Sequence, residues 1–317
     1  MRVAIFGTGG LGAFFGGFLA RAGRDVTFIA RGSNLDALCR RGLTLKTLPP
    51  AEIQLDVRAT DDPTKLGVVD LVWCCVKAYD LEVAAREMAP LVGPQTLILP
   101  IQNGVDAAER IAAQIGADRV LGGLCLGGAT LEAPGVVAQK TTRVRLLIGE
   151  LNGDISPRID ALGRELSSAG IDAEVSSGIR VALWDKFVGM CGTHSLTALM
   201  RLPVSTLFAD PEASALVRGL MEEAEQVARA TGVVLPEDTA RQAFESYRKR
   251  AAADPSAYAS IYYDLVAGRR LEVEHTNGAV VRLGQRGGIA TPLNFAVYAA
   301  LRPWVDGRPP TAALPHP

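Results

Sequence analysis

With 317 residues the chain is long enough for two domains and a well-buried core. A net charge of -1 and a pI near 6.3 give no electrostatic footprint for nucleic acid, and no basic run or Arg-rich aromatic stripe supplies one locally. No stretch of about eighteen uninterrupted apolar residues occurs, so no membrane span is predicted.

The apolar run Val3-Ala4-Ile5-Phe6 leads directly into Gly7-Thr8-Gly9-Gly10-Leu11-Gly12, and that into the helical stretch Ala13 to Ala22. A G-x-G-x-x-G in strand, turn, helix order is a dinucleotide-binding fingerprint. Gly7 allows the tight turn, Gly9 lets the backbone approach a pyrophosphate, and Gly12 lets the helix pack on the strand; the helix N–H groups then face the phosphates. Arg2 and the apolar residues after it imitate a signal peptide, but the glycine turn interrupts the continuous apolar helix that such a leader needs.

The second strand, Val26 to Ala30, exits at Arg31-Gly32-Ser33-Asn34. A carboxylate here would take the ribose 2′-hydroxyl of NAD, whereas an arginine matches a 2′-phosphate in charge and geometry. The residue is Arg31, and Asp25 stands at the wrong end of the strand, so NADP(H) is predicted; the other reading of Arg31 is a solvated loop residue.

Further on, Val68 to Val76 reads as a central buried strand ending at Lys77, Glu82 to Leu91 as a helix, and Gln95 to Pro100 as a strand that ends at Gln102-Asn103-Gly104. A helix from near Asp106, strands at Val120 to Leu124 and Arg143 to Ile148 around a Pro134-Gly135 loop, a helix at Arg158 to Ala169 and a strand at Ile171 to Val175 complete the alternation. It predicts an α/β fold with a doubly wound Rossmann-type parallel sheet, whose ligands sit at the carboxyl ends of the strands, where Gly9, Arg31, Lys77 and Asn103 lie. Beyond Ser177 helical periodicity takes over at Ile179 to Leu199, Ser205 to Thr231, Pro236 to Arg250 and Glu272 to Gly284. The expected domains are therefore 1–177 for the dinucleotide and 178–305 as a smaller all-α domain, with a disordered proline-rich tail at 306–317.

Cys39, Cys74, Cys75, Cys125 and Cys191 form no CxxC pair and no Cys/His metal spacing, and read as small core residues in a reducing cytoplasm, with no metal site. One helix carries Trp184-Asp185-Lys186-Phe187, with Met190 and His194 at further four-residue steps. Such steps drift by only about 40° each, so the three side chains share a face. Apolar Val181, Leu183, Phe187 and Leu196 require part of this helix to be buried, where an ammonium needs a carboxylate partner. Ser260-Ile261-Tyr262-Tyr263-Asp264 reads as the close of one helix, Gly268-Arg269-Arg270 as a turn, and Glu272 to Gly278 as the opening of the next.

Taken in order, the G-x-G-x-x-G, Arg31, Val76-Lys77-Ala78, Gln102-Asn103-Gly104, Trp184-x-Lys186 and the block from Ser260 through Glu272 to Asn277-Gly278 resemble the ketopantoate reductase (2-dehydropantoate 2-reductase) family from residue 1 to about 305. The resemblance implies Lys186 as the catalytic lysine, Glu272 as the acid that orients lysine and substrate, Ser260 as a substrate-binding serine, Lys77 beside the cofactor and Asn103 near both nicotinamide and substrate. It implies NADPH as cofactor, a small 2-keto acid as partner and a homodimer through the helical domain. The family has asparagines at the positions of Met190 and His194, so these two are the candidate substrate-binding departures. A thioether makes no strong hydrogen bond, which predicts broader keto acid use, and a protonated His194 would hold the substrate carboxylate below a pKa of roughly 6.5. Reduction of 2-dehydropantoate is the primary reading; reduction of another 2-keto acid and a non-enzymatic NADP(H)-binding regulator are the alternatives.

Overall fold

The computed structural model describes residues 1–309, so the expected tail lies largely outside the described residues. In chain order the first elements are β1 (Arg2–Phe6), α1 (Gly10–Arg21), β2 (Asp25–Ile29), α2 (Gly32–Arg41), β3 (Leu43–Thr47), β4 (Ala51–Leu55), β5 (Arg58–Thr60), β6 (Leu71–Cys74), α3 (Leu81–Met88), β7 (Leu97–Pro100) and α4 (Ala107–Ile115). They continue with β8 (Gly122–Leu126), β9 (Ala129–Ala133), β10 (Val136–Gln139), β11 (Arg145–Gly149), α5 (Pro157–Ser168) and β12 (Asp172–Val175). Five strands form an all-parallel sheet in the order β5-β2-β1-β6-β7, with Ile5 opposite Phe28 on one side and Trp73 on the other.

Both faces of this sheet are covered, which is why its central strands read as unbroken apolar runs. Val3 and Ile5 of β1 enter a core with Phe15 and Leu19 of α1, while Ala4 and Phe6 enter a second core with Leu81 and Met88 of α3 and Ile111 of α4. Phe15 stacks on Trp73 with ring centroids 4.8 Å apart. Cys74 belongs to the second core, and its burial pushes the thiol up to about 12. Cys39 is exposed, so the expectation of five core cysteines fails there.

The strands expected at 120–124, 143–148 and 171–175 do not extend the parallel sheet. They form a separate three-stranded sheet, β12-β11-β8; just before β8, Val120 makes an isolated parallel bridge with Ile98 of β7. A parallel return needs a crossover of a dozen or more residues, usually helical. Between β8 and β11 the chain holds only the hairpin β9–β10, and β11 accordingly runs antiparallel to β8. A further sheet, β4-β3-β10-β9, was not foreseen; Leu43 and Leu45 point inward from β3 while Thr44 and Lys46 are only half-buried, the period of a half-buried strand.

The remaining elements are helical: α6 (Ile179–Met200), α7 (Val204–Ala209), α8 (Pro211–Ala230), α9 (Thr239–Ala253), α10 (Ser260–Val266), α11 (Asn277–Gly287) and α12 (Pro292–Leu301). The expected helix at 205–231 is two helices. Pro211 has no N–H to continue α7, and the Asp210 carboxylate caps α8 by accepting from the Ala213 N–H at 2.8 Å. The stretch 272–284 also divides, into a 3₁₀ turn at Glu272–His275 and α11, and Ser260 opens α10 instead of closing a helix. The chain separates into two compact units, one of Met1–Gln102 and Asp106–Arg180, the other of Asn103–Val105 and the chain from Val181 onward.

Inside the second unit, Glu223 of α8 accepts from the backbone N–H groups of Leu293 and Asn294 at 2.9 Å each, setting a carboxylate at the α12 N-terminus. Asn277 donates to Asn294 Oδ1 at 2.8 Å and to the Cys191 carbonyl at 3.2 Å. The Asn277-Gly278 motif thus pins α6, α11 and α12 together. No helix among the described residues is long and apolar enough to cross a membrane.

Candidate active site

The glycine loop follows from β1 and is held from three sides. Gly7 has φ +97°, a conformation that side chains disfavour, and a Cβ on Gly12 would run into the Gly7 carbonyl. The Thr8 hydroxyl donates to the Ile29 carbonyl at 2.9 Å, tying the loop to the end of β2 beside Arg31. Asn34 donates to the Thr8 carbonyl and accepts from the Gly135 N–H, both at 2.8 Å, so one amide clamps the loop to the β9–β10 turn. Sequence reading missed Asn34; its only signal was its place after the second strand.

Gly10 has a role of its own, because a Cβ there would meet the Ala129 carbonyl where β9 begins. Gly9 faces open space, with no atom within 4 Å of where its Cβ would stand, at the N-terminus of α1. Leu11 packs against the core. The loop opens on a cleft of about 370 Å³ lined by Gly7, Gly9, Arg31, Lys77, Asp80 and Glu87 among others. An open glycine at a helix N-terminus, with an arginine at the end of the next strand, fits a dinucleotide. Lys77 is exposed and precedes a 3₁₀ turn at Ala78–Asp80. Arg31 is not isolated in this cleft: its Nη2 stands 2.6 Å from Glu87 Oε2 of α3.

In the second unit Lys186 and Asn103 come together. Lys186, half-buried on α6, donates through Nζ to Asn103 Oδ1 at 3.1 Å. Asn103 follows Gln102, whose Nε2 donates to the Cys74 carbonyl at 2.9 Å and the Val76 carbonyl at 3.1 Å, fixing where the loop leaves β7. Glu272 is buried, and its carbonyl accepts from the Thr276 hydroxyl at 3.4 Å. Ser260 is exposed at the first residue of α10.

His194 and Met190 differ from expectation. Burial, and after it the Lys186 charge, lower the His194 imidazole to about 4, and its buried Nδ1 has no hydrogen-bond partner. Both effects favour the neutral ring, against the expectation of a protonated His194 holding a carboxylate near its ordinary pKa. Met190 is 1% exposed, so it offers a ligand almost no surface.

Comparison with known proteins shows the family. Residues 3–153 match the family model described as "Ketopantoate reductase PanE/ApbA", and residues 178–304 match that of its C-terminal part. A 2-dehydropantoate 2-reductase of Archaeoglobus fulgidus is 32% identical over 95% of this chain and 97% of its own. One from Mesorhizobium japonicum is 31% identical over 95% and 97%. The crystal structure of a PanE/ApbA family ketopantoate reductase from Ralstonia eutropha JMP134 superposes with a TM-score of 0.87 at 35% identity, covering 95% of this chain and 97% of that one.

Proposed function

The chain belongs to the ketopantoate reductase family and is an oxidoreductase, and on that footing we propose that it uses NADPH to reduce the 2-keto group of 2-dehydropantoate to the hydroxyl of pantoate. The observation that carries the reading is the hydrogen bond from Lys186 Nζ to Asn103 Oδ1, which holds a half-buried ammonium in one orientation. The open Gly9, the α1 N-terminus and Arg31 would hold the pyrophosphate and the 2′-phosphate. When bound, the nicotinamide supplies the hydride.

Lys186 stabilises the negative charge that builds on the carbonyl oxygen and gives that oxygen a proton, becoming neutral until solvent reprotonates it. Asn103 keeps the ammonium aimed, and Glu272, a buried carboxylate of the same unit, orients the lysine and the substrate. The Ser260 hydroxyl, exposed at the start of α10, binds a polar group of the substrate. The oxidoreductase assignment removes the regulator alternative.

A second reading, reduction of another 2-keto acid, is favoured by His194, since a neutral imidazole gives a substrate hydroxyl fewer fixed partners than an amide. The test is NADPH oxidation, followed by the absorbance of the reduced nicotinamide, against 2-dehydropantoate and a panel of less polar branched 2-keto acids. The highest kcat/KM on 2-dehydropantoate supports the first reading; a higher value on a less polar acid supports the second, and no turnover on any of them contradicts both.

A further inference from the structure

The cleft beside the glycine loop is lined by charges of both signs, Arg31 and Lys77 with Asp80 and Glu87. A site devoted to a 2′-phosphate gains from an arginine with no anion beside it, because the phosphate takes both N–H donors of the guanidinium fork. Here Glu87 already takes one arm of the fork, Arg31 Nη2 donating to its Oε2 at 2.6 Å. A carboxylate in such a cleft has a chemistry of its own, since it accepts a hydrogen bond from a ribose 2′-hydroxyl. It comes from α3, well outside the strand end where sequence reading looks for an acid.

The two side chains are respectively 67% and 37% exposed, so the bond between them is weak and screened by salt, and a phosphate can draw Arg31 away. Glu87 then remains beside a group that carries more negative charge than itself. The same carboxylate has no quarrel with an unphosphorylated ribose. We propose that Glu87 is a specificity-setting residue of the cofactor cleft, holding Arg31 in the unliganded protein, opposing the 2′-phosphate of NADPH and accepting the 2′-hydroxyl of NADH, so that it narrows the preference between the two. This rests on the reading of Arg31 as the 2′-phosphate partner.

Dissociation constants for NADPH and NADH, measured by calorimetry on the whole chain at low and high salt, test the proposal with wild type, Glu87→Gln and Arg31→Ala. Glu87→Gln keeps the shape of the side chain and removes its charge. The expected result is NADPH binding tightened by about threefold to tenfold at low salt, a smaller gain at high salt, and NADH binding weakened; unchanged or tighter NADH binding overturns the contact with the 2′-hydroxyl. An NADPH constant that is unchanged or weaker in Glu87→Gln, while Arg31→Ala still loses NADPH selectively, overturns the role of Glu87. Arg31→Ala losing both cofactors equally, or neither, overturns the reading of Arg31 itself.

Discussion

Lowering the pH should destabilise this protein through His194, and the size of the effect follows from its surroundings. The folded imidazole titrates at about 4, held down by burial and by the Lys186 charge, against an ordinary value of 6.5. In the unfolded chain the ring takes up a proton as the pH falls through 6.5, while the folded ring stays neutral down to about 4. The unfolded state therefore binds more protons across this window, and stability falls as the pH is lowered. The full difference is about 3.4 kcal/mol at 1.36 kcal/mol per unit, and between pH 8 and pH 5 about 2 kcal/mol of it is lost. Urea unfolding at the two pH values, in wild type and in His194→Asn, isolates the contribution, because every other titrating group is common to both proteins. The variant should lose about 2 kcal/mol less than wild type on going from pH 8 to pH 5. A difference below about 0.5 kcal/mol, the scatter expected between independent sites, would refute the account of His194 as a buried neutral ring.

Replacing Arg31 by Ala should weaken NADPH binding by roughly 1 to 3 kcal/mol and leave NADH nearly unaffected, as titration of each cofactor will show. Gly10→Ala drives a Cβ into the Ala129 carbonyl, so both cofactor affinity and melting temperature should fall; unchanged values of both would mean that β9 moves aside at no cost. Met190→Asn puts an amide where the side chain is enclosed and should destabilise by about 1 to 3 kcal/mol in urea unfolding.

Four strands of the parallel sheet were legible in the sequence because both of their faces are buried, and a run such as Val3 to Phe6 admits few other readings; the three-residue edge strand β5 carries no such run and was not foreseen. The glycine loop was legible for the same local reason, since turn, close approach and helix packing act on consecutive residues. The four-stranded sheet was not: β3 and β4 are short strands with polar residues on one side, and β9 and β10 flank a Pro134-Gly135 turn that resembles any loop. Lys186 and Asn103 were each identified from their motifs, but no local pattern brings residues so distant in sequence within 3.1 Å. The assignment of Met190 and His194 to a substrate-facing surface used helical spacing, which gives a shared face and says nothing about how deeply that face is buried. Glu87 escaped notice because it reaches Arg31 from a different helix.

The most direct test of the account is to compare kcat for NADPH-dependent reduction of the best 2-keto acid in wild type and in Lys186→Ala, with NADPH affinity measured separately on both. Loss of a positioned proton donor predicts a kcat lower by about 10² to 10⁴, or roughly 3 to 5.5 kcal/mol, with the NADPH constant unchanged. A variant that keeps the wild-type kcat would contradict the assignment of Lys186 as the group that protonates the forming alkoxide.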